Sequence, residues 1–194
     1  STDTSIYFSD KKIWNCGDAY KQLQGTYPVI FLSFKDAHQT NWTDMYRSLC
    51  FTLKEEFLRH IELLSSKAIN EYDKKYIHNL INDVADSTDY QFALGKLSSL
   101  LATHYNQKDI IIIDEYDTPI QQGHLYHYYN EVVGFMRNLF SSALKDNENL
   151  EFGILTGILR IAKESLFSGL NNLVVNTILD DKYSEYFGFT VNDI

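Results

Sequence analysis

The sequence predicts an α/β fold in which a parallel sheet lies between two layers of helices. Three apolar runs, over residues 29–34, 110–114 and 152–156, show no alternation with polar residues, which is typical of strands buried on both faces. Stretches with helical periodicity separate these runs, and this order is typical of crossover connections between parallel strands. We therefore expect three adjacent parallel strands, with residues 110–114 in the middle.

The second run is the strongest strand signal. Residues 110–113 are four consecutive isoleucines, and β-branched side chains favour strands. A weaker apolar run over residues 174–179, after a turn that contains Gly169, predicts a further short strand.

Four longer stretches show the spacing of amphipathic helices. Between the first two strands, apolar residues recur at steps of three and four from Trp42 to Leu64, whereas charged residues such as Arg47 and Glu55 fall on the other side. The same spacing predicts helices over residues 42–64, 73–84, 90–105 and 126–144, and a short helix is expected over residues 18–24.

Size and composition indicate one folded cytoplasmic domain. The 194 residues include 44% hydrophobic and 22% charged side chains, without low-complexity or linker-like segments. The net charge is −9 and no basic stripe is visible, so nucleic acid binding is not indicated. No apolar run reaches the roughly 18 residues of a membrane span, and no signal peptide opens the chain. Cys16 and Cys50 are too few for a disulfide framework or a zinc site.

Both ends of the sequence look like interruptions of a larger domain. Thr190 and Asp193 match a helix N-cap and an acidic residue three positions later, and the sequence stops one residue after them. No strand-loop-helix unit precedes residue 28. We therefore expect residues 1–194 to be a fragment of one domain, with ordinary ragged termini as the alternative.

Two acidic residues follow the central strand directly. Parallel strands deliver the residues that follow them to the carboxyl edge of the sheet, where α/β proteins bind ligands. Asp114 at that edge could hold Mg²⁺ through water, as a Walker B aspartate does, and Glu115 could polarise a water molecule for attack on phosphorus. The alternative is that these polar residues only end the strand, with Asp117 capping the next turn.

Two further candidates follow the third strand. Thr156 ends that strand, where a polar side chain of an ATPase can contact the γ-phosphate and the attacking water. Arg160 could neutralise charge in the transition state, as an arginine finger does. The alternatives are a threonine that ends a strand before Gly157 and an arginine that pairs with a surface carboxylate.

These motifs resemble the predicted AAA-ATPase family. The segments that carry the resemblance are IIDEYDTPI (residues 112–120), TGILRIAKESLFSGLNN (residues 156–172) and ILDDKYSEYFGFT (residues 178–190). The similarity extends from about residue 28 to the end. It implies a bacterial-type P-loop ATPase that uses ATP and Mg²⁺, often with a PD-(D/E)XK nuclease-like domain after the ATPase domain.

The sequence departs from this family pattern at the phosphate-binding loop. Members carry a Walker A loop, whose backbone amides and lysine hold the phosphates. The one Gly-Lys pair in this sequence, Gly95-Lys96, lies inside a predicted helix and is followed by leucine. No nuclease-like motif is present either. We therefore expect an incomplete P-loop NTPase-like sheet without its Walker A strand, which binds ATP weakly and is inactive alone.

The absent strand would leave an open sheet edge beside residues 152–156. An exposed edge can pair with another chain, so we expect a second copy of the chain, the missing N-terminal segment or the run at residues 174–179 to fill it. Two other functions remain open. One is a non-catalytic interaction module that uses this edge, and the other is a metal-dependent hydrolase built on Asp114, Glu115 and Asp117.

Two weaker patterns lie near residue 126. His124, His127 and Glu131 have helical spacing and could hold a transition metal, or could be solvated or capping residues. The neighbouring tyrosines could stack on a nucleic acid base, or could form the packing face of a helix.

Overall fold

The computed structural model describes residues 4–158, 166–167, 173–177 and 179–183. Within these residues, the strands are β1 (Val29–Ser33), β2 (Asp109–Asp114) and β3 (Leu150–Leu155). The α-helices are α1 (Asp18–Leu23), α2 (Trp42–Arg59), α3 (Glu71–Ile81), α4 (Ser87–Tyr105), α5 (Thr118–Leu125) and α6 (Tyr129–Leu144). Short 3₁₀ helices cover Ser5–Tyr7, Lys12–Asn15, Ile61–Ser65 and Asp181–Tyr183.

The three strands form one parallel sheet in the order β1-β2-β3. Ile111 of β2 lies between Ile30 of β1 and Gly153 of β3 in the register of the two ladders. The predicted adjacent parallel strands, with the isoleucine strand in the middle, are therefore confirmed.

Helices cover one face of the sheet in the described part of the chain. Ile30, Leu32, Ile111 and Ile113 point to this face and are fully buried against α2, α4 and α6. On the opposite face, Phe31 is 41% exposed and Phe152 is 60% exposed. Side chains of a strand alternate between two faces, and an apolar run does not reveal whether something covers the second face. The expected burial on both faces is wrong for β1 and β3, and the described residues supply no third layer.

The ends of the helices follow local capping chemistry. Asn41 accepts a hydrogen bond from the Asp44 amide at the start of α2, and Asp86 and Asp89 form a reciprocal capping box at the start of α4. The predicted helices over residues 42–64, 73–84 and 90–105 are confirmed with shifted ends. The first of them ends at Arg59, before the 3₁₀ helix Ile61–Ser65.

The predicted helix over residues 126–144 is confirmed as α6 with a shifted start, at Tyr129. The chain forms α5, breaks, and then forms α6. His127 lies at the break with φ 64°, a left-handed conformation that does not continue a helix. His124, His127 and Glu131 therefore do not share one helix face, and the helical spacing that suggested a metal site is absent.

The predicted strand over residues 174–179 is not formed in its described part. Residues 173–177 and 179 have no strand geometry, while residue 178 lies outside the described residues. The Thr177 amide donates a hydrogen bond to the Asp180 carboxylate, and the Asp180 amide donates to the Thr177 carbonyl 3.0 Å away. These local hydrogen bonds form a turn in place of a ladder. The predicted helix start at Thr190 lies outside the described residues.

The Gly95-Lys96 pair is part of α4, as predicted, and contributes to the packing of the helices. A Cβ atom at Gly95 would lie 2.8 Å from the Ser142 carbonyl carbon of α6, which shows how closely the two helices approach. Lys96 forms an ion pair of 2.6 Å with Asp73 of α3. None of the described helices has the length and apolar character needed to cross a membrane.

Asp109 is a buried carboxyl group at the start of β2. It is fully buried, and neither of its carboxyl oxygens has a hydrogen-bond partner in the described part of the chain. Burial raises the pKa of Asp109 to about 6, although the nearby Ser98 hydroxyl and His60 act in the opposite direction. Between about pH 4 and about pH 6, the folded chain therefore retains a proton that the unfolded chain has already released.

We expect this proton to make the free energy of unfolding fall as the pH rises from about 4 to about 6. The unfolded state binds fewer protons over this window, so ionisation favours unfolding. The Asp109→Asn variant cannot ionise. The difference in free energy of unfolding between this variant and wild type should therefore shift in favour of the variant by up to roughly 3 kcal/mol as the pH rises from 4 to 7. Urea unfolding at several pH values measures this difference. The exposed Asp36→Asn variant is the control, and a constant difference between Asp109→Asn and wild type across the range would contradict the prediction.

Candidate functional site

Polar side chains from all three strand ends meet at the carboxyl edge of the sheet. The Thr156 hydroxyl, just after β3, donates a hydrogen bond of 2.5 Å to Asp114 Oδ1 at the end of β2. The Ser33 hydroxyl at the end of β1 donates to Asp114 Oδ2 over 3.3 Å. Ser33 and Asp114 are direct register partners, which places both side chains on the same, uncovered face. The structure therefore brings the predicted residues Asp114 and Thr156 into contact.

Ser33 is a member of this site that the sequence reasoning missed. It lies inside the first apolar run, between Leu32 and Phe34, so the run was interpreted as a strand and nothing more. The available signal was its position, because a hydroxyl at the end of a parallel strand reaches the same edge as Asp114.

The donor set around Asp114 suits a hard cation that keeps most of its water. It consists of one carboxylate and two hydroxyl groups, all of them oxygen ligands. Mg²⁺ is commonly bound through one or two carboxylates together with water and phosphate oxygens. The described residues contain no group of three or more His, Cys, Asp or Glu side chains that could hold a metal ion. The site therefore fits Mg²⁺ held through water and substrate, and does not fit a metal held by protein side chains alone.

Glu115 follows with an unusual backbone. Its φ of 52° lies in the left-handed region, which is costly for a residue with a Cβ atom. The Thr118 hydroxyl donates to Glu115 Oε2 over 3.2 Å, and the Thr118 amide donates to the Glu115 carbonyl over 3.2 Å. The start of α5 therefore fixes both the backbone and the carboxylate of Glu115 beside Asp114.

Asp117 does not act as a side-chain cap, the role that the alternative interpretation gave it. It precedes α5, but its side chain accepts no capping hydrogen bond from that helix. Asp117 is 1% exposed, and its carboxylate accepts hydrogen bonds from Gln121 Nε2 at 2.7 Å and from the Ile158 amide at 3.1 Å. Because its carboxylate binds the chain after β3, Asp117 has no place in the described geometry as a third metal ligand beside Asp114 and Glu115.

The remaining predicted site residues divide into two cases. Arg160 lies outside the described residues, so the structure does not place it. The tyrosines near residue 126 are partly a packing group, as one of the alternatives predicts. Tyr128 is buried and donates a hydrogen bond of 2.6 Å to the Gln39 carbonyl, and Tyr129 packs against the core.

Two comparisons find proteins with similar sequences. The family model described as predicted AAA-ATPase matches residues 2–167. This match begins before residue 28, where the resemblance noted in the sequence starts. It ends before residues 178–190, the last of the segments that carry that resemblance. An Azotobacter chroococcum mcd 1 protein, described as an uncharacterized protein in the vnfD 5′ region, is 34% identical over 89 residues. The aligned part covers 45% of this chain and 17% of that relative.

No solved structure matches the chain. The family model covers most of the sequence, including all three strands and the polar strand ends around Asp114. The chain therefore belongs to the predicted AAA-ATPase family.

Proposed function

We propose that this chain is the part of a P-loop ATPase domain that binds Mg²⁺ and activates water. The observation that carries the proposal is the position of Asp114, which ends the central strand and accepts hydroxyl hydrogen bonds from both neighbouring strand ends. A carboxylate at this point of a parallel sheet is where a Walker B aspartate acts. Membership of a family of predicted ATPases supports the same activity.

Each residue would have a separate role in hydrolysis. Asp114 would accept hydrogen bonds from the water shell of Mg²⁺, which supplies charge neutralisation at the phosphates when it is bound. Glu115 would accept a proton from the attacking water, since Thr118 orients its carboxylate. Thr156 would turn its hydroxyl from Asp114 to the γ-phosphate. Arg160 would approach the transferred phosphoryl group and stabilise its developing charge.

ATP binding would require residues beyond these 194. The sequence has no Walker A loop, and the backbone amides and lysine of such a loop make the main phosphate contacts. We place that loop in another segment of the same protein, beside the edge of β3. The aligned part spans only 17% of the Azotobacter relative, so proteins with this segment can be much longer.

The two edges of the sheet differ in a way that supports this placement. On β1, the Phe31 amide donates a hydrogen bond of 2.8 Å to the Glu56 carboxylate of α2. Glu56 is 3% exposed and is held by Arg59 and His60, so this edge is blocked. No described strand lies beyond β3, and Phe152 beside that edge is exposed. An added strand would therefore pair with β3.

The open edge also favours a second candidate function. A chain that cannot hold ATP could still use β3 and the exposed apolar face as a protein-interaction module, since unpaired edges accept strands from partners. The partner would be a second copy of the chain or an N-terminal segment of the same protein. The apolar face formed by Phe31, Phe152 and Ile154 would then be buried in the contact.

Calorimetric titration with Mg-ATP separates the two functions. We expect the 194-residue chain to bind no better than about millimolar, because three lost charge-assisted hydrogen bonds of about 1.5–3 kcal/mol each lower affinity by on the order of 10³-fold or more. The full-length protein should bind in the micromolar range, and only with Mg²⁺ present. Micromolar binding by the short chain would reveal a phosphate site within it. Absence of binding to the full-length protein would favour the interaction module.

A further inference from the structure

Asp117 joins the segment after β2 to the segment after β3. We propose that Asp117 is a positioning residue, which holds the backbone at residues 156–158 so that the Thr156 side chain stays at the carboxyl edge of the sheet beside Asp114. The role in hydrolysis rests on the proposed ATPase function, but the structural coupling can be measured without it. Asp117 itself would not touch substrate, metal or the attacking water.

The hydrogen bonds of Asp117 connect two separate elements. Its Oδ2 atom accepts from the Ile158 amide at 3.1 Å, two residues beyond Thr156, and from Gln121 Nε2 of α5 at 2.7 Å. Asp117 is 1% exposed, and a buried carboxylate is costly unless hydrogen bonds replace its water. The Asp117 carboxylate therefore links the loop after β3 to the first turn of α5.

Gly157 lets the loop approach this carboxylate. A Cβ atom at Gly157 would lie 2.5 Å from Asp117 Oδ1 and 2.9 Å from Tyr116 Cε1, so no larger residue fits without a shift. The glycine between Thr156 and Ile158 therefore lies directly against Asp117, and the whole turn follows the position of that side chain.

The hydrogen bonds of the sheet ladder hold Thr156 only on its N-terminal side, where β3 ends. The Thr156 amide donates to the Ile113 carbonyl at 2.9 Å, and the Tyr116 amide donates to the Thr156 carbonyl at 3.1 Å. Residues at the end of a ladder open locally unless something beyond them is attached. The Asp117–Ile158 hydrogen bond is that attachment, and Thr156 lies between the two anchor points.

The test uses the full-length protein with Asp117→Ala, Asp117→Asn, Thr156→Ala and the double variant Asp117→Ala/Thr156→Ala. Loss of the carboxylate should lower kcat by about 10²-fold, the scale for a misplaced group near the reaction, with KM within about threefold. Asp117→Asn keeps an acceptor for the Ile158 amide and should restore most of kcat. The double variant should be no slower than Thr156→Ala, because Asp117 acts through the Thr156 side chain, which is already absent in Thr156→Ala.

Gln121→Ala is the matched control, since it removes the α5 donor to Asp117 and leaves the bond to Ile158. Its kcat should stay within about twofold of wild type. Hydrogen exchange gives a readout that needs no activity. In Asp117→Ala, amide exchange should rise in residues 152–158 and stay unchanged in residues 109–114.

The outcomes separate this inference from the proposed function. Unchanged exchange at residues 152–158, or losses in kcat that multiply in the double variant, would overturn the role of Asp117. If the wild-type protein hydrolyses no ATP, the proposed function fails, and the exchange result alone decides whether Asp117 holds the loop.

Discussion

Glu115→Gln should lower ATP hydrolysis by the full-length protein by roughly 10²–10⁴-fold, the usual scale for loss of a general base. Glutamine keeps the shape of the side chain and its hydrogen bond from Thr118, but it cannot accept a proton from water. Because Glu115 makes no contact with bound phosphates in this proposal, the affinity for Mg-ATP should stay nearly unchanged. Steady-state hydrolysis combined with equilibrium binding of Mg-ATP measures both quantities.

Asp114→Asn is the matched comparison for this variant. It alters the neighbouring carboxylate, which accepts the Ser33 and Thr156 hydroxyls. Loss of its charge should weaken the Mg²⁺-dependent part of ATP binding as well as hydrolysis. The two variants therefore distinguish the role of Asp114 in holding the metal from the role of Glu115 in activating water. Turnover of Glu115→Gln within about twofold of wild type would show that Glu115 is not the base.

Gly95→Ala should destabilise the fold by more than about 2 kcal/mol, because it forces a methyl group into the close contact between α4 and α6. The added Cβ atom would lie 2.8 Å from the Ser142 carbonyl carbon, a distance that real Cβ atoms essentially never show. The two nearest atoms are the carbonyl oxygen and carbon of Ser142, which belong to the backbone, so no flexible side chain can move aside. Helices α4 and α6 would have to separate, although alanine favours a helix over glycine by about 1 kcal/mol.

Gly134→Ala on α6 is the control, and its expected effect on the free energy of unfolding has the opposite sign. A Cβ atom at Gly134 would meet nothing within 4 Å, so only the helix preference of alanine should act. We expect this variant to gain about 0.5–1 kcal/mol in the free energy of unfolding. Urea unfolding of both variants provides the comparison. Equal stability of Gly95→Ala and wild type would mean that α4 and α6 do not approach as closely as the structure has it.

The strands were predictable because their signal is local. Four consecutive isoleucines specify a strand wherever they occur in the chain, and the polar residues after them must reach the carboxyl edge of a parallel sheet. The helix break at His127 was missed because apolar spacing continues across it from α5 to α6. A left-handed residue changes the direction of the chain without changing the hydrophobic pattern.

The sequence by itself therefore determined the parallel sheet, its central strand and the position of Asp114, Glu115 and Thr156 at one edge. The tertiary structure decided which face of the sheet the helices cover, that Ser33 joins Asp114, and that Asp117 points to the loop after β3. Ser33 and Asp114 are 81 positions apart, and Thr156 and Asp114 are 42 apart. Contacts over such separations depend on how the elements pack, and residue spacing within one element carries no information about them.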